Sequence, residues 1–137
     1  MRYSLFDGQR DTLLLIARIL LMVLFILSGW GKLTGFEGTV GYMTSLGAPA
    51  PTLAAAVAVV MEFVVGILLI LGFYTRPLAF LFALFVLGTA LLGHPFWNMV
   101  DPERSANMTQ FLKNLGIMGG LLLLAVSGPG RFSLDRR

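Results

Sequence analysis

Several polar residues stand inside or at the edge of long apolar runs, where hydrophilic side chains are costly. Lys32 closes the stretch "SGWGK", His94 and Trp97 belong to "GHPFWN", and Lys113 and Asn114 belong to "FLKNLGIMGG". Lysine, histidine and asparagine donate hydrogen bonds, tryptophan walls a site, and a glutamate can accept or relay a proton. The predicted ligand-binding residues are Lys32, Glu62, His94, Trp97, Lys113 and Asn114.

Simpler structural roles exist for part of this set. A tryptophan at a membrane edge is an ordinary belt residue, the ammonium of Lys32 could extend to the interface, and His94 before Pro95 could cap a helix. Asn114 lies about one turn inside its apolar run, where a buried amide needs a partner. We therefore expect an interior role for Asn114, either structural or ligand-binding.

Arg18 and Glu62 lie deep within apolar runs, where each charge costs about 2.5–3.5 kcal/mol to insert. One interpretation is a buried Arg18–Glu62 charge pair that fixes helix register. The other is that both residues line a ligand or proton site. Side chains lean toward the N-terminus of their own helix, so in antiparallel helices these two lean apart. That lean favours contact of Glu62 with Lys32, His94 and Lys113.

Composition excludes several kinds of chemistry. The chain has no cysteine, which excludes disulfides, thiol relays, iron–sulfur clusters and cysteine-ligated zinc. It has one histidine. We expect no metal site and no covalently bound cofactor. Although ten Lys and Arg outnumber seven Asp and Glu, no basic cluster alternates with aromatic residues, so nucleic acid is not an expected partner.

The elements that must position these residues are membrane-spanning helices. The 137 residues are 57% hydrophobic and 12% charged, whereas soluble domains are about 45–50% apolar and about 25% charged. Four runs are long enough to span a bilayer, and none alternates with period two, which leaves helices. The sequence predicts an all-α, four-transmembrane-helix bundle forming a single domain over residues 1–137, with spans at residues 12–31, 53–73, 78–93 and 108–126.

The distribution of basic residues predicts the orientation. Lys32, Arg104 and Lys113 fall on the side of the first and third interhelical loops. The opposite side carries Arg2, Arg10, Arg76, Arg131, Arg136 and Arg137. Because basic residues concentrate on the cytoplasmic side, both termini are predicted to be cytoplasmic, and the loops after spans one and three are predicted to face outward.

The ordered motifs resemble one family of membrane proteins. They are "RILLMVLFILSGWGKLTGFEGTVGYMTSLGAPAP", "MEFVVGILLILGFYTRPLA", "HPFW" and "FLKNLGIMGGLLLLAVSGPGRFSLD". Over roughly residues 13–135 they resemble the DoxX family of small bacterial inner-membrane proteins, and within it the YqjF-like members. Val65 departs from this pattern, because many members carry a glycine there. The recurring polar positions of the family fall on Arg18, Lys32, Glu62, His94, Lys113 and Asn114.

The resemblance implies a four-helix protein of the bacterial inner membrane. It also implies a link to quinol oxidation, thiosulfate:quinone oxidoreduction or oxidative-stress complexes. The first hypothesis is therefore a quinone- or quinol-associated subunit of a membrane redox system, with a quinone as a non-covalently bound cofactor. The alternatives are a small transporter or lipophile-binding protein, and a non-catalytic assembly subunit. Whether the chain is an enzyme by itself stays open.

The expected partners follow from these hypotheses. They are the lipid bilayer, a membrane redox protein and, as an alternative, a second copy of the chain.

Overall fold

The computed structural model describes residues 3–136. Arg2 and Arg137, which contributed to the predicted orientation, lie outside the described residues. Within that range all regular secondary structure is helical, and four helices are long and apolar enough to cross a membrane. The predicted fold class, an all-α bundle of four transmembrane helices, is confirmed.

The first and last spans are single helices. A 3₁₀ turn at Asp7–Gln9 leads into the first span. The last span begins at Glu103, five residues before the predicted span at residues 108–126, because its first turn is polar and extends beyond the apolar run. The long helices are α1 (Arg10–Thr34), α5 (Thr75–Gly93) and α6 (Glu103–Ser127).

The second span is continuous but changes helix type in its middle. It runs through α3 (Pro51–Val59), a π-helical stretch (Val60–Val65) and α4 (Gly66–Leu71). Pro51 occupies the first helical position, where its missing N–H costs nothing. The span ends two residues earlier than predicted because Gly72 adopts a left-handed conformation with φ of 71°.

A further short helix, α2 (Phe36–Ser45), lies between the first two spans. None of the predicted spans covers these residues. At ten residues α2 is too short to cross a bilayer, and it instead packs against α3 through its buried side of Thr39 and Met43.

The core is built by pairwise packing of antiparallel spans. Helix α1 packs along the second span, and α5 packs along α6. The rings of Phe25 and Phe82 join the two pairs at a centroid distance of 4.8 Å, edge to face. The buried residues of this core are Met22, Phe25, Met61, Val65, Leu69, Ala79, Phe82, Ala83, Val86, Leu121 and Leu124.

The two ends of the bundle differ. At the end that carries the chain termini, called here the termini end, residues 128–136 fold back across the helix ends. Asp135 accepts hydrogen bonds from the N–H groups of Tyr74 (2.9 Å) and Thr75 (2.8 Å) at the start of α5. Arg76 donates to the last carbonyl groups of α6, including that of Ser127 at 3.3 Å. The opposite end, called the cavity end, holds α2, the end of α5 and the start of α6.

Candidate functional site

The predicted Arg18–Glu62 charge pair is wrong. Arg18 is fully buried, and its guanidinium donates to the carbonyl oxygens of Leu69, Ile70 and Phe132. Because α1 and the second span are antiparallel, position 18 lies opposite residues 69–70. Those residues are about 10 Å along the helix from Glu62 at 1.5 Å per residue. Arg18 therefore secures the termini end.

Glu62 pairs with Lys32 instead, in the direction that the side-chain lean indicated. The Lys32 Nζ lies 2.8 Å from Oε1 and 2.9 Å from Oε2 of Glu62. The same ammonium donates to the hydroxyl of Ser28 at 2.8 Å. Both oxygens of the buried carboxylate thus have a cationic donor, which is what a buried charge requires.

The π-helical stretch and Gly29 bring these two residues together. A Cβ atom added to Gly29 would lie 2.7 Å from the backbone nitrogen of Phe63 and 3.0 Å from the carbonyl carbon of Glu62. No other residue allows the backbones so close. One turn later on α1, Lys32 then reaches Glu62. Widened π turns often occur at functional sites.

A cavity of about 470 Å³ lies beside this ion pair, between α1, α2, α3, α5 and α6. Five of the six predicted ligand-binding residues line it: Lys32, Glu62, His94, Lys113 and Asn114. The remaining lining is mostly apolar and includes Leu24, Phe25, Met43, Ala54, Val57, Ala58, Phe85 and Leu92. The volume falls within the range of small-molecule sites, about 300–1,000 Å³.

Trp97, the sixth predicted residue, does not line the cavity. It lies in a 3₁₀ turn, Phe96–Asn98, after Pro95. Its ring packs against those of Phe96 (5.3 Å between centroids) and Phe111 (5.6 Å). Nearly half of the surface of Trp97 is exposed at the end of the bundle. Its position is therefore that of a membrane-edge aromatic residue.

Asn114 is buried, with 7% of its surface exposed. No described residue forms a hydrogen bond with its side chain, although the amide carries two donors and an acceptor. The side-chain nitrogen and oxygen of Asn114 remain accessible, because they are not among the fully buried polar atoms without a partner, and the residue lies on the cavity wall. A ligand in the cavity can therefore supply the partner that an amide in such a setting normally has.

The other two predicted donors are held by neighbours on α6. Lys113 donates to the side-chain carbonyl of Gln110 at 2.6 Å, and the described residues offer it no carboxylate partner. His94 follows the last turn of α5 and places Nδ1 2.8 Å from Oδ1 of Asn107. The site therefore presents one neutralised ion pair, one uncompensated lysine, one imidazole and one unsatisfied amide.

Sequence reasoning missed two contributors to this site. Tyr42 lines the cavity from α2, and Asn107 orients His94 from α6. The apolar residues Phe36, Val40 and Met43 recur at helical spacing and could have predicted α2 and the side it buries. Asn107 lies in a polar stretch, and only the packing of α5 on α6 brings it to His94.

Comparison with known proteins assigns the family. The DoxX family model matches residues 13–95, more than half of the chain. The chain therefore belongs to the DoxX family.

Two Escherichia coli proteins are similar to this chain over nearly all of its length. "Inner membrane protein YphA" is 55% identical over the whole chain and 98% of its own length. "Inner membrane protein YqjF" is 44% identical over 92% of each chain. A more distant Bacillus subtilis relative, "Putative oxidoreductase CatD", is 34% identical over 60% of this chain and 62% of its own. No solved structure matches the chain. With its four apolar helices, the chain is a multi-pass protein of the inner membrane.

Proposed function

We propose that the cavity binds the head group of a quinone or quinol, and that the chain serves as a quinone-associated subunit of a membrane redox system. The observation that carries this proposal is the side-chain amide of Asn114, a largely buried residue that lines the cavity and has no protein partner for that amide. A quinone carbonyl oxygen is an acceptor that this amide and the Lys113 ammonium can satisfy. Leu24, Phe25 and Phe85 supply apolar walls for the ring.

The surroundings of the cavity favour a lipophilic ligand over a water-soluble one. Most of its lining is aliphatic or aromatic, and the polar groups are few and convergent, which is the usual composition of a small-molecule site. The cavity also lies among helices apolar enough to cross a membrane. A molecule with one polar ring and an apolar tail fits both properties.

We assign electron delivery to a partner protein of the same membrane. The chain has no cysteine, and the described part holds no group of three or more His, Cys, Asp or Glu side chains arranged for a metal ion. The oxidoreductase named in the distant relative CatD agrees with a redox setting. In this proposal, the chain binds and positions the quinone, and the partner exchanges electrons with it.

The transporter alternative gains less support from the geometry. Proton-coupled exchange at a membrane glutamate needs a carboxylate that can release its partner, and both oxygens of Glu62 are engaged by Lys32.

The test measures quinone binding to the full chain in nanodiscs made from quinone-free lipid. A short-tail ubiquinone is titrated calorimetrically against the wild type, Asn114→Leu and Asn98→Leu. Asn114→Leu keeps the branched shape and the number of side-chain heavy atoms and removes the hydrogen-bonding groups, so we expect about tenfold weaker binding, the value of one good hydrogen bond. Asn98 is exposed and outside the cavity, so Asn98→Leu should bind like the wild type.

Two outcomes would contradict the proposal. One is the lack of saturable binding of ubiquinone to the wild type. The other is binding to Asn114→Leu that equals binding to the wild type, which would place the quinone outside this cavity.

A further inference from the structure

The hydrogen bonds around His94 determine which of its ring nitrogens carries the proton. Asn107 Nδ2 donates to the backbone carbonyl oxygen of Glu103 at 3.0 Å. A carbonyl oxygen only accepts, so the amide nitrogen must lie on that side and Oδ1 must face His94. Oδ1 is itself only an acceptor, and it lies 2.8 Å from His94 Nδ1. Nδ1 therefore carries the hydrogen.

This arrangement leaves the second ring nitrogen of a neutral His94 as a bare acceptor. No described residue forms a hydrogen bond with Nε2, and His94 lines the cavity. The strongest acceptor of the cavity, the Glu62 carboxylate, already receives the Lys32 ammonium on both oxygens. The cavity thus combines two donors, on Lys113 and Asn114, with an imidazole lone pair that no protein group uses.

We propose that His94 Nε2 accepts a hydrogen bond from a ring hydroxyl of the ligand, so that the site prefers the hydroxylated, reduced form of a quinone. Asn107 acts as a positioning residue, because it holds the tautomer that exposes the Nε2 lone pair. This inference rests on the proposed function and names the redox state that the site selects. A quinone has carbonyl oxygens only and would leave Nε2 unpaired, whereas a quinol donates a hydroxyl to it.

The positions of Asn107 and Asn114 on α6 are consistent with one ligand contacting both His94 and Asn114. Asn107 and Asn114 are seven residues apart, two helical turns on the same side of α6, or about 10 Å. His94 is hydrogen-bonded to Asn107 and lines the cavity, and Asn114 lines it from a position two turns further along α6. A quinol ring between them would donate one hydroxyl to His94 Nε2 and place the other at the Asn114 amide, which can both donate and accept.

The tautomer can be read directly, because His94 is the single histidine of the chain. Full-length protein labelled with ¹⁵N-histidine should show a protonated Nδ1 and an unprotonated Nε2. In Asn107→Leu the proton should redistribute toward Nε2, and Asn107→Asp, which keeps an acceptor, should restore the Nδ1–H form. Asn98→Leu serves as the matched control and should leave the spectrum unchanged. A wild-type spectrum with the proton on Nε2 would overturn the inference.

A second experiment measures the binding of three probes in nanodiscs under anaerobic conditions. The probes are a short-tail ubiquinol, its dimethyl ether and the corresponding ubiquinone. In the wild type we expect the ubiquinol to shift the Nε2 signal and to bind about tenfold more tightly than its ether and than the ubiquinone. Asn107→Leu should abolish both preferences, whereas the control Asn98→Leu, at an exposed residue outside the cavity, should keep them.

The outcomes separate the two proposals. Ubiquinone binding with no preference for the ubiquinol over its ether overturns the role of His94 and leaves the proposed function standing. Failure of all three probes to bind the wild type overturns the proposed function, and the role of His94 falls with it.

Discussion

At Gly29 the backbones of α1 and the second span approach so closely that no side chain fits between them. A Cβ at this position would lie 2.7 Å from Phe63 N and 2.9 Å from Phe63 Cβ. We therefore predict that Gly29→Ala pushes α1 away from the π-helical stretch and destabilises the bundle by about 1–3 kcal/mol, the usual cost of overpacking. The measurement is the free energy of unfolding in mixed detergent micelles.

The matched control for this prediction is two residues away on the same helix. A Cβ on Gly31 would meet nothing within 4 Å, so Gly31→Ala should be neutral or stabilising by up to about 1 kcal/mol through helix propensity. Equal effects of the two substitutions would contradict the close approach of the backbones at Gly29.

The Lys32–Glu62 pair makes a second residue-scale prediction. Lys32→Met would leave the buried Glu62 carboxylate without its cation, and breaking a buried pair costs about 3–5 kcal/mol. The double substitution Lys32→Met with Glu62→Gln removes the lone charge and should recover most of that loss. Unfolding free energies of the single and double variants form the double-mutant cycle that measures the coupling.

Lys113→Met provides the comparison within the same cavity. Lys113 is exposed and donates to the Gln110 amide, and the described residues give it no carboxylate. We expect its replacement to change stability by no more than about 0.5 kcal/mol. A loss as large as that of Lys32→Met would show that Lys113 has a charged partner.

Among the helical elements, α6 has a pH-sensitive start. Asp101 precedes α6, and its Oδ1 accepts hydrogen bonds from the Ser105 hydroxyl (2.5 Å) and the Ser105 N–H (3.1 Å). These bonds, the hydroxyl first, lower the pKa of Asp101 below its ordinary value. A carboxylate with a lowered folded-state pKa stabilises the fold above its unfolded pKa, about 3.9, and that contribution disappears as pH falls through the folded value.

The prediction is therefore a pH-dependent difference between two variants and the wild type. Thermal unfolding followed by circular dichroism should show the wild type more stable than Asp101→Asn at neutral pH. The difference should begin to shrink as pH falls below about 4 and should vanish once the Asp101 carboxylate of the folded protein is protonated. Ser105→Ala, which removes the hydroxyl, should shrink this pH dependence. A wild-type advantage that persists in strong acid would show that the charge of Asp101 is not its source.

For the whole molecule, the sequence predicted what depends on composition and could not predict what depends on chain folding. Hydropathy placed all four spans. Five of the six predicted ligand-binding residues line one cavity, because the end of α1, the end of α5 and the start of α6 meet at the same end of the bundle and Glu62 reaches Lys32. The partners of Arg18 were not predictable, because one of them, Phe132, lies 114 positions away in a segment that folds back across the bundle. Helix α2 was missed because its ten residues are too few to be recognised as a span.

The orientation of the bundle is a property of the whole molecule and stays a prediction. Arg10, Arg76, Arg131 and Arg136 lie at the termini end of the described structure, while Lys32, Arg104 and Lys113 lie toward the cavity end. Because basic residues are retained in the cytoplasm, the termini end should face the cytoplasm and the cavity end the outside. The proposed ligand would then meet its polar contacts near the outer leaflet.

Cysteine labelling tests this orientation cleanly, because the chain has no cysteine of its own. Ser4 lies at the termini end and Thr52 lies at the start of α3, and both are exposed. In intact cells a membrane-impermeant maleimide should label Thr52→Cys, whereas Ser4→Cys should react only after the inner membrane is permeabilised. The reverse labelling pattern would show that the predicted orientation is wrong. The Lys32–Glu62 pair and the cavity would then lie near the cytoplasmic leaflet, and a partner delivering electrons would have to bind on that side.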